Sequence, residues 1–162
     1  MPSRYETNSL GPLLAAIVVG ALIAGSVDIL VASAIYEASP GAILQAIASG
    51  LIGRASYDGG LGTMALGLML QWLMSLIIAA IYGAAAVQMP VLFDKPVRFG
   101  ALYGAGVFIV MSFIVVPLSA AYPRPQPSVS GLVLNLAANI LFGVIVASTP
   151  SLMRVGRRTA PI

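Results

Sequence analysis

Residues Pro12–Tyr36 read PLLAAIVVGALIAGSVDILVASAIY, an apolar run interrupted by Ser26, Asp28 and Ser33. A helix needs roughly 20 mostly apolar residues to cross the hydrocarbon core of a bilayer, because each residue rises about 1.5 Å. The run is long enough, and it lacks the period-two alternation of a membrane β-strand. It therefore predicts a membrane-spanning helix.

Three further apolar runs follow along the chain. Pro12, Pro96 and Pro150 fall at starts, stops or loops, where a missing backbone donor costs least. The predicted fold class is therefore all-α. The chain is a polytopic membrane protein with one membrane domain over residues 1–162, folded as a four-transmembrane-helix bundle. Its spans are expected at about 12–36, 62–87, 99–121 and 129–149.

The composition agrees with a membrane protein. Of 162 residues, 59% are hydrophobic and 8% are charged, whereas a soluble domain carries about 25% charge. This excludes a soluble globular domain and a disordered chain. The net charge of +3 rests on scattered residues, which excludes a nucleic-acid partner. The lipid bilayer is the partner that the composition predicts.

The chain contains no Cys and no His. Disulfides, thiolate nucleophiles, histidine-ligated haem and Ser-His-Asp triads are thereby excluded. No paired ionisable groups or nucleophile constellation stand in their place. We therefore expect no enzyme, no metal site and no cofactor.

The Lys and Arg residues of the short loops predict the orientation, since they favour the cytoplasmic side. Two basic residues, Arg54 and Arg124, lie on one side. Six lie on the other: Arg4, Lys95, Arg98, Arg154, Arg157 and Arg158. Both termini are therefore expected in the cytoplasm. A cleaved signal peptide ending near Ser26 is the alternative, but the apolar run continues beyond it, which favours a retained anchor.

The first loop contains a fifth helix, predicted at about 40–54. Ser39 is a suitable N-cap and Pro40 a suitable first helical residue. The segment is too short to cross the bilayer, so it lies at the extracytoplasmic interface or forms a re-entrant segment. It acts as a lid over the bundle or only packs against it, and the second interpretation is favoured.

Small residues indicate where the helices pack, because lipid gives no hydrophobic drive for helix association. Gly100 and Gly104 form a GxxxG pair in the third span. The fourth span carries a ridge of small or polar residues at intervals of four: Gly131, Asn135, Asn139, Gly143 and Ala147. Such a ridge is expected to face another helix.

Asp28 is the only charged residue well inside a predicted span. Its helix face is otherwise small, with Ala21, Ala24, Gly25 and Ala32. Counting about 1.5 Å per residue from each span centre places one polar residue of every span at nearly the same depth. We therefore expect a buried polar cluster of Asp28, Gln71, Ser112, Asn135 and Asn139.

Two interpretations of this cluster compete. In the first, Asp28 exchanges a proton or binds a cation during transport, with the amides as further ligands. In the second, Asp28 stays neutral and the cluster fixes the register of the helices. The second is favoured, since no second ionisable group is available to relay a proton.

The first span contains Gly20-Ala21-Leu22-Ile23-Ala24-Gly25 followed by Ser26-Val27-Asp28-Ile29-Leu30, and the third span ends near Val116-Pro117-Leu118. These segments carry a resemblance to the YagU-like family of small bacterial inner-membrane proteins. It covers the four-span layout, although long polar insertions associated with that family are missing. The resemblance implies a bacterial cytoplasmic membrane and a role under acid stress.

Three classes of function follow from the sequence. The leading hypothesis is a non-catalytic subunit or scaffold that packs against other membrane proteins. The expected protein partners are other membrane proteins or further copies of the chain in a homo-oligomer. The second is a small oligomeric transporter or channel for protons, ions or a small solute that uses the Asp28 layer. A membrane enzyme is the least favoured.

Overall fold

A computed structural model describes residues 7–123 and 128–158, with side chains described for residues 11–123 and 128–151. Arg4 and Arg124, used above to predict orientation, lie outside the described residues. Within the described ranges every regular element is helical. The chain runs through α1 (Thr7–Ile35), α2 (Pro40–Ile52), a 3₁₀ segment (Gly53–Tyr57), α3 (Gly60–Gln88), α4 (Val91–Asp94), α5 (Pro96–Val110), a π-helical turn (Met111–Val115), α6 (Val116–Leu118) and α7 (Val129–Arg158).

Four segments of the described chain are long and apolar enough to cross a membrane, which confirms the predicted helical membrane architecture. They are Gly11–Ile35, Gly60–Gln88, Pro96–Leu118 and Val129–Ser151.

The ends of the predicted spans need three corrections. The third span begins at Pro96 and ends at Leu118 rather than covering 99–121, because Ser119 is extended (φ −82°, ψ 170°). Pro12 lies inside α1 and Pro150 inside α7 rather than at helix boundaries. Proline usually costs about 3 kcal/mol inside a helix, but membrane-spanning helices tolerate it because neighbouring groups satisfy the freed backbone carbonyl.

Helix α1 packs between α3 and α7, and α7 packs between α1 and α5. Gly25 lies against Ser75, whereas Gly83, further along α3, lies against Ile17. Helices α1 and α3 are therefore antiparallel. Gly20 contacts Thr149, so α1 and α7 meet near the end of α7. The bundle is an up-and-down arrangement of the four helices.

Helices α5 and α7 form the tightest interface of the bundle. The backbone of Gly100 lies against Gly143, and Gly104 lies against the carbonyl oxygen of Asn139. An added Cβ at either α5 glycine meets α7 backbone, so only glycine permits this approach. Gly131 departs from the predicted ridge. A Cβ there meets only Ser128 Oγ, whose hydroxyl accepts a hydrogen bond from the Gly131 amide at 3.0 Å.

Helices α3 and α5 make few close backbone approaches to each other. They meet at one end of the bundle, where the rings of Tyr82 and Tyr103 are 5.2 Å apart. There the Tyr103 hydroxyl donates to the Ile78 carbonyl at 2.7 Å, and the Tyr82 hydroxyl donates to the Leu92 carbonyl at 3.3 Å. We call this the Tyr82 end of the bundle.

Helix α2 begins as the sequence predicts. Pro40 is its first residue, and Ser39 Oγ accepts a hydrogen bond from the Ala42 amide at 3.2 Å. The helix ends at Ile52, where Gly53 adopts a φ of +63°, a conformation that favours glycine. The chain continues as the 3₁₀ segment rather than as helix to residue 54.

At the opposite end, which we call the α2 end, α2 packs on α3 and is tied to the chain that follows α6. The Ala120 amide donates to the Gly50 carbonyl at 2.9 Å. The Tyr122 amide donates to Ser49 Oγ at 3.2 Å, and the Tyr57 hydroxyl donates to the Tyr122 carbonyl at 2.7 Å. Helix α2 therefore bridges α3 and the end of the third span.

Candidate functional site

A cavity of about 50 Å³ lies between the four spanning helices, each of which contributes to its wall. This volume has room for a few water molecules. Polar side chains from α1, α3 and α7 line it together with apolar and thioether side chains. The lining residues are Asp28, Gln71, Met74, Ser75, Ile78, Val107, Met111, Asn139 and Phe142.

The Asp28 and Gln71 side chains join α1 to α3 across this cavity. Gln71 Nε2 donates to Asp28 Oδ2 at 2.9 Å and to the Gly25 carbonyl at 3.4 Å. Both partners are acceptors, so the amide nitrogen faces α1 and the amide oxygen faces away. Ser75 Oγ donates to the Gln71 carbonyl at 2.8 Å and fills the space that Gly25 leaves open.

Asp28 is the only acidic or basic side chain within the central turns of the described spans. It is half-buried, and no Lys or Arg of the described chain forms an ion pair with it. Its second oxygen, Oδ1, has no hydrogen-bond partner among the described residues and is not fully buried. A carboxylate held at membrane depth without a basic partner is costly, and such groups mark ion or proton pathways.

The two asparagines of α7 have different environments. Asn139 lines the cavity, and its Nδ2 donates to the Asn135 carbonyl at 2.9 Å. Asn135 lies one turn nearer the α2 end. Its Nδ2 donates to the Gly131 carbonyl at 2.8 Å and to the Tyr36 hydroxyl at 2.6 Å. Asn135 therefore ties α7 to the end of α1 rather than joining the cavity.

The structure thus brings together Asp28, Gln71 and Asn139 of the predicted polar cluster. Asn135 pairs with Tyr36, and Ser112 does not line the cavity, whereas its neighbour Met111 does. Counting residues along a span predicts depth but not direction. Ser112 follows Met111 directly in the π-helical turn, so its side chain leaves the helix in a different direction.

Sequence reasoning missed two polar side chains, Ser75 at the cavity and Tyr36 beside Asn135. Ser75 follows Gln71 by four residues, and this spacing places both side chains on one helix face. That signal was present in the sequence. The Tyr36 contact with Asn135 joins residues 99 positions apart, and no local pattern indicates it.

The cavity is lined by polar groups that can bind a small ligand. Within the described residues, no group of three or more His, Cys, Asp or Glu side chains is placed to hold a metal ion. The cavity offers one carboxylate, two side-chain amides and one hydroxyl. These groups can accept hydrogen bonds or coordinate a small cation.

A scan against protein-family models and searches of curated proteins and of solved structures found no match to the chain. The resemblance to the YagU-like family therefore stays a prediction. The class that the structure defines is a multi-pass helical membrane protein with a polar cavity between its spans.

Proposed function

We propose that this membrane protein is a small transporter or channel whose cargo is a proton or a small ion, and that Asp28 binds this cargo. The observation that carries the proposal is the position of Asp28. Its carboxylate lines a cavity to which all four spans contribute. The sequence alone favours a structural role for the cluster, whereas the cavity supports a role in transport.

The size of the cavity restricts the cargo. Sites for small organic molecules usually enclose about 300–1,000 Å³, whereas this cavity has about 50 Å³. A sugar, amino acid or nucleotide is too large to lie wholly within that volume. A proton, a small ion or a water molecule fits within it. Of these three, only a proton or an ion makes use of the Asp28 charge.

The test is flux through vesicles that contain the purified full-length protein. Asp28→Asn keeps the size and the acceptor for Gln71 but removes the charge, so we expect flux to fall to the level of empty vesicles. Ser112→Ala is the matched control, since Ser112 lies in a span but outside the cavity. Equal flux in wild type and Asp28→Asn, with both folded, contradicts the proposal.

A second candidate is the non-catalytic subunit or scaffold. The exposure of the second and third spans favours it. In each of these spans, only 17% of the most apolar stretch is buried within the chain. Large apolar side chains such as Met69 and Leu102 are exposed on these spans, at 67% and 70%. Copurification of a stoichiometric membrane partner in mild detergent supports this candidate, whereas a chain that purifies alone or as a homo-oligomer argues against it.

The proposed setting is the bacterial cytoplasmic membrane, with both termini in the cytoplasm. Lys95 and Arg98 lie at the Tyr82 end and Arg54 lies at the α2 end. The excess of positive residues supports a cytoplasmic Tyr82 end. Helix α2 then lies on the extracytoplasmic side.

A further inference from the structure

The amide nitrogens of the two residues that border the cavity are already engaged by protein acceptors, which leaves their amide oxygens available. Gln71 Nε2 is engaged by Asp28 and Gly25, and Asn139 Nδ2 is engaged by the Asn135 carbonyl. The oxygens Gln71 Oε1 and Asn139 Oδ1 accept no hydrogen bond from the described side chains, and neither oxygen is fully buried. Carboxylate and amide oxygens are hard ligands, which suit alkali and alkaline-earth cations.

The charge of the lining fixes the charge of the ligand. In its ionised form Asp28 supplies one negative charge, and the lining contains no other acidic, basic or titratable side chain. A monovalent cation balances that charge. A divalent cation leaves one positive charge uncompensated at low dielectric, and an anion finds no cationic partner, so both are costly.

A cation also suits the lining better than a transported proton does. A proton that leaves Asp28 needs a second acceptor, but the rest of the lining consists of amides, one hydroxyl, thioethers and apolar groups. A cation needs only ligands. The cavity volume of about 50 Å³ accommodates one small ion together with a water molecule.

We propose that the central cavity is a binding site for a single monovalent alkali cation of the size of Na⁺, with oxygens of Asp28, Gln71 and Asn139 as ligands. This inference rests on the proposed transport function and specifies its cargo. The two fail separately, because binding and flux are measured in different experiments.

The chain carries its own reporter for this site. Trp72 is its only tryptophan and follows Gln71 directly on α3. Its indole Nε1 donates to Ser26 Oγ on α1 at 3.3 Å, two residues from Asp28. A ligand that draws Asp28 and Gln71 toward itself alters this contact, and hence the fluorescence of Trp72.

The experiment titrates the purified full chain in detergent with NaCl, replacing choline chloride at constant ionic strength and constant pH. We expect a saturable change in Trp72 fluorescence, and a melting temperature that rises with Na⁺ because the ligand binds the folded state. Asp28→Asn should abolish the saturable change. Ser112→Ala should keep the wild-type response.

A second variant guards against misfolding of Asp28→Asn. Asn139→Ala removes one ligand but leaves the hydrogen bond between Gln71 and Asp28, and we expect it to weaken Na⁺ binding by about tenfold. Identical titrations in NaCl and choline chloride overturn the inference, as do wild-type Na⁺ affinity in Asn139→Ala and tighter binding of Ca²⁺ than of Na⁺.

Flux measurements separate this inference from the proposed function. Na⁺ binding without any flux supports the site and contradicts transport. Proton flux that depends on Asp28, in a protein that shows no Na⁺ response, supports transport and overturns the alkali-cation site.

Discussion

The carbonyl of Leu44 lies directly against the backbone of Gly67, so that α2 and α3 touch without an intervening side chain. Gly67 is seven residues into α3, a depth of about 10 Å along the helix axis. Helix α2 is therefore anchored beside α3, one turn from Gln71, and is not a loose connection at the mouth of the bundle.

Gly67→Ala should destabilise the protein, because its Cβ collides with a main-chain carbonyl that has no rotamer to adopt. We expect a loss of about 1–3 kcal/mol, measured by thermal or denaturant unfolding in detergent. Gly62→Ala is the control on the same helix, since a Cβ there meets nothing within 4 Å. Equal stability of the two variants contradicts the observed packing of α2.

The interface between α5 and α7 offers a matched pair of substitutions. Gly104→Ala places a Cβ against the carbonyl of Asn139, whereas Gly106→Ala places one in open space. We expect the first to cost about 1–3 kcal/mol. The second should be neutral, or stabilising by up to about 1 kcal/mol. The unfolding midpoints of both variants are measured side by side. A Gly104→Ala protein as stable as wild type contradicts the close packing of α5 on α7.

The bond between Gln71 and Asp28 should appear as a coupling energy. The variants Gln71→Leu, Asp28→Leu and their combination form a double-mutant cycle. We expect a favourable coupling of about 0.6 kcal/mol, and at most about 1.7 kcal/mol, as for other hydrogen bonds between membrane helices. Reversible unfolding in detergent gives the four stabilities, those of the wild type and of the three variants. Strict additivity means that the pair does not form.

The contact between α2 and the end of the third span can be locked covalently. An ideal Cβ at Gly50 lies 3.8 Å from the Ser119 Cβ, within the usual range of about 3.5–4.5 Å for a disulfide. The chain has no native Cys, so Gly50→Cys with Ser119→Cys leaves one possible pair. We expect mild oxidation to remove both thiols from maleimide labelling in the folded protein.

Single-Cys variants are the control for this experiment, because they can form only intermolecular disulfides. A double variant that stays fully labelled after oxidation indicates that α2 does not lie beside residue 119. If the thiols are lost when the folded protein is oxidised, but stay free when the protein is denatured before oxidation, the result supports the fold.

The proposed orientation predicts opposite labelling of two exposed positions. Asp58 lies at the α2 end and Asp94 at the Tyr82 end, and both are exposed. In intact cells, a membrane-impermeant maleimide should label Asp58→Cys, and should label Asp94→Cys only after permeabilisation. The reverse pattern places both termini outside.

The architecture is largely readable from the sequence because hydropathy over about 20 residues is a strong signal. Ser39 and Pro40 likewise predict the start of α2, since capping is a local effect. The signal fails at helix ends. Pro12 and Pro150 suggest boundaries, but the helices run through them.

The candidate site is only partly readable. Asp28 and Gln71 can be paired by depth, because antiparallel helices fix the relation between residue number and height. Which asparagine of α7 joins them depends on the close approach of Gly104 to Asn139, a register that arises from tertiary packing. Ser112 shows the limit of the depth estimate, which contains no information on the direction of a side chain.

Helix α7 holds the bundle together, since it packs against both α1 and α5 and contributes Asn139 to the cavity. It is also the last of the four spans to be synthesised. Until α7 enters the membrane, Gly100 and Gly104 of α5 have no helix to pack against, and the cavity lacks one wall. Insertion of α7 is therefore the step that completes the site, and chains arrested before α7 expose to the quality-control machinery a carboxylate in an unfinished bundle.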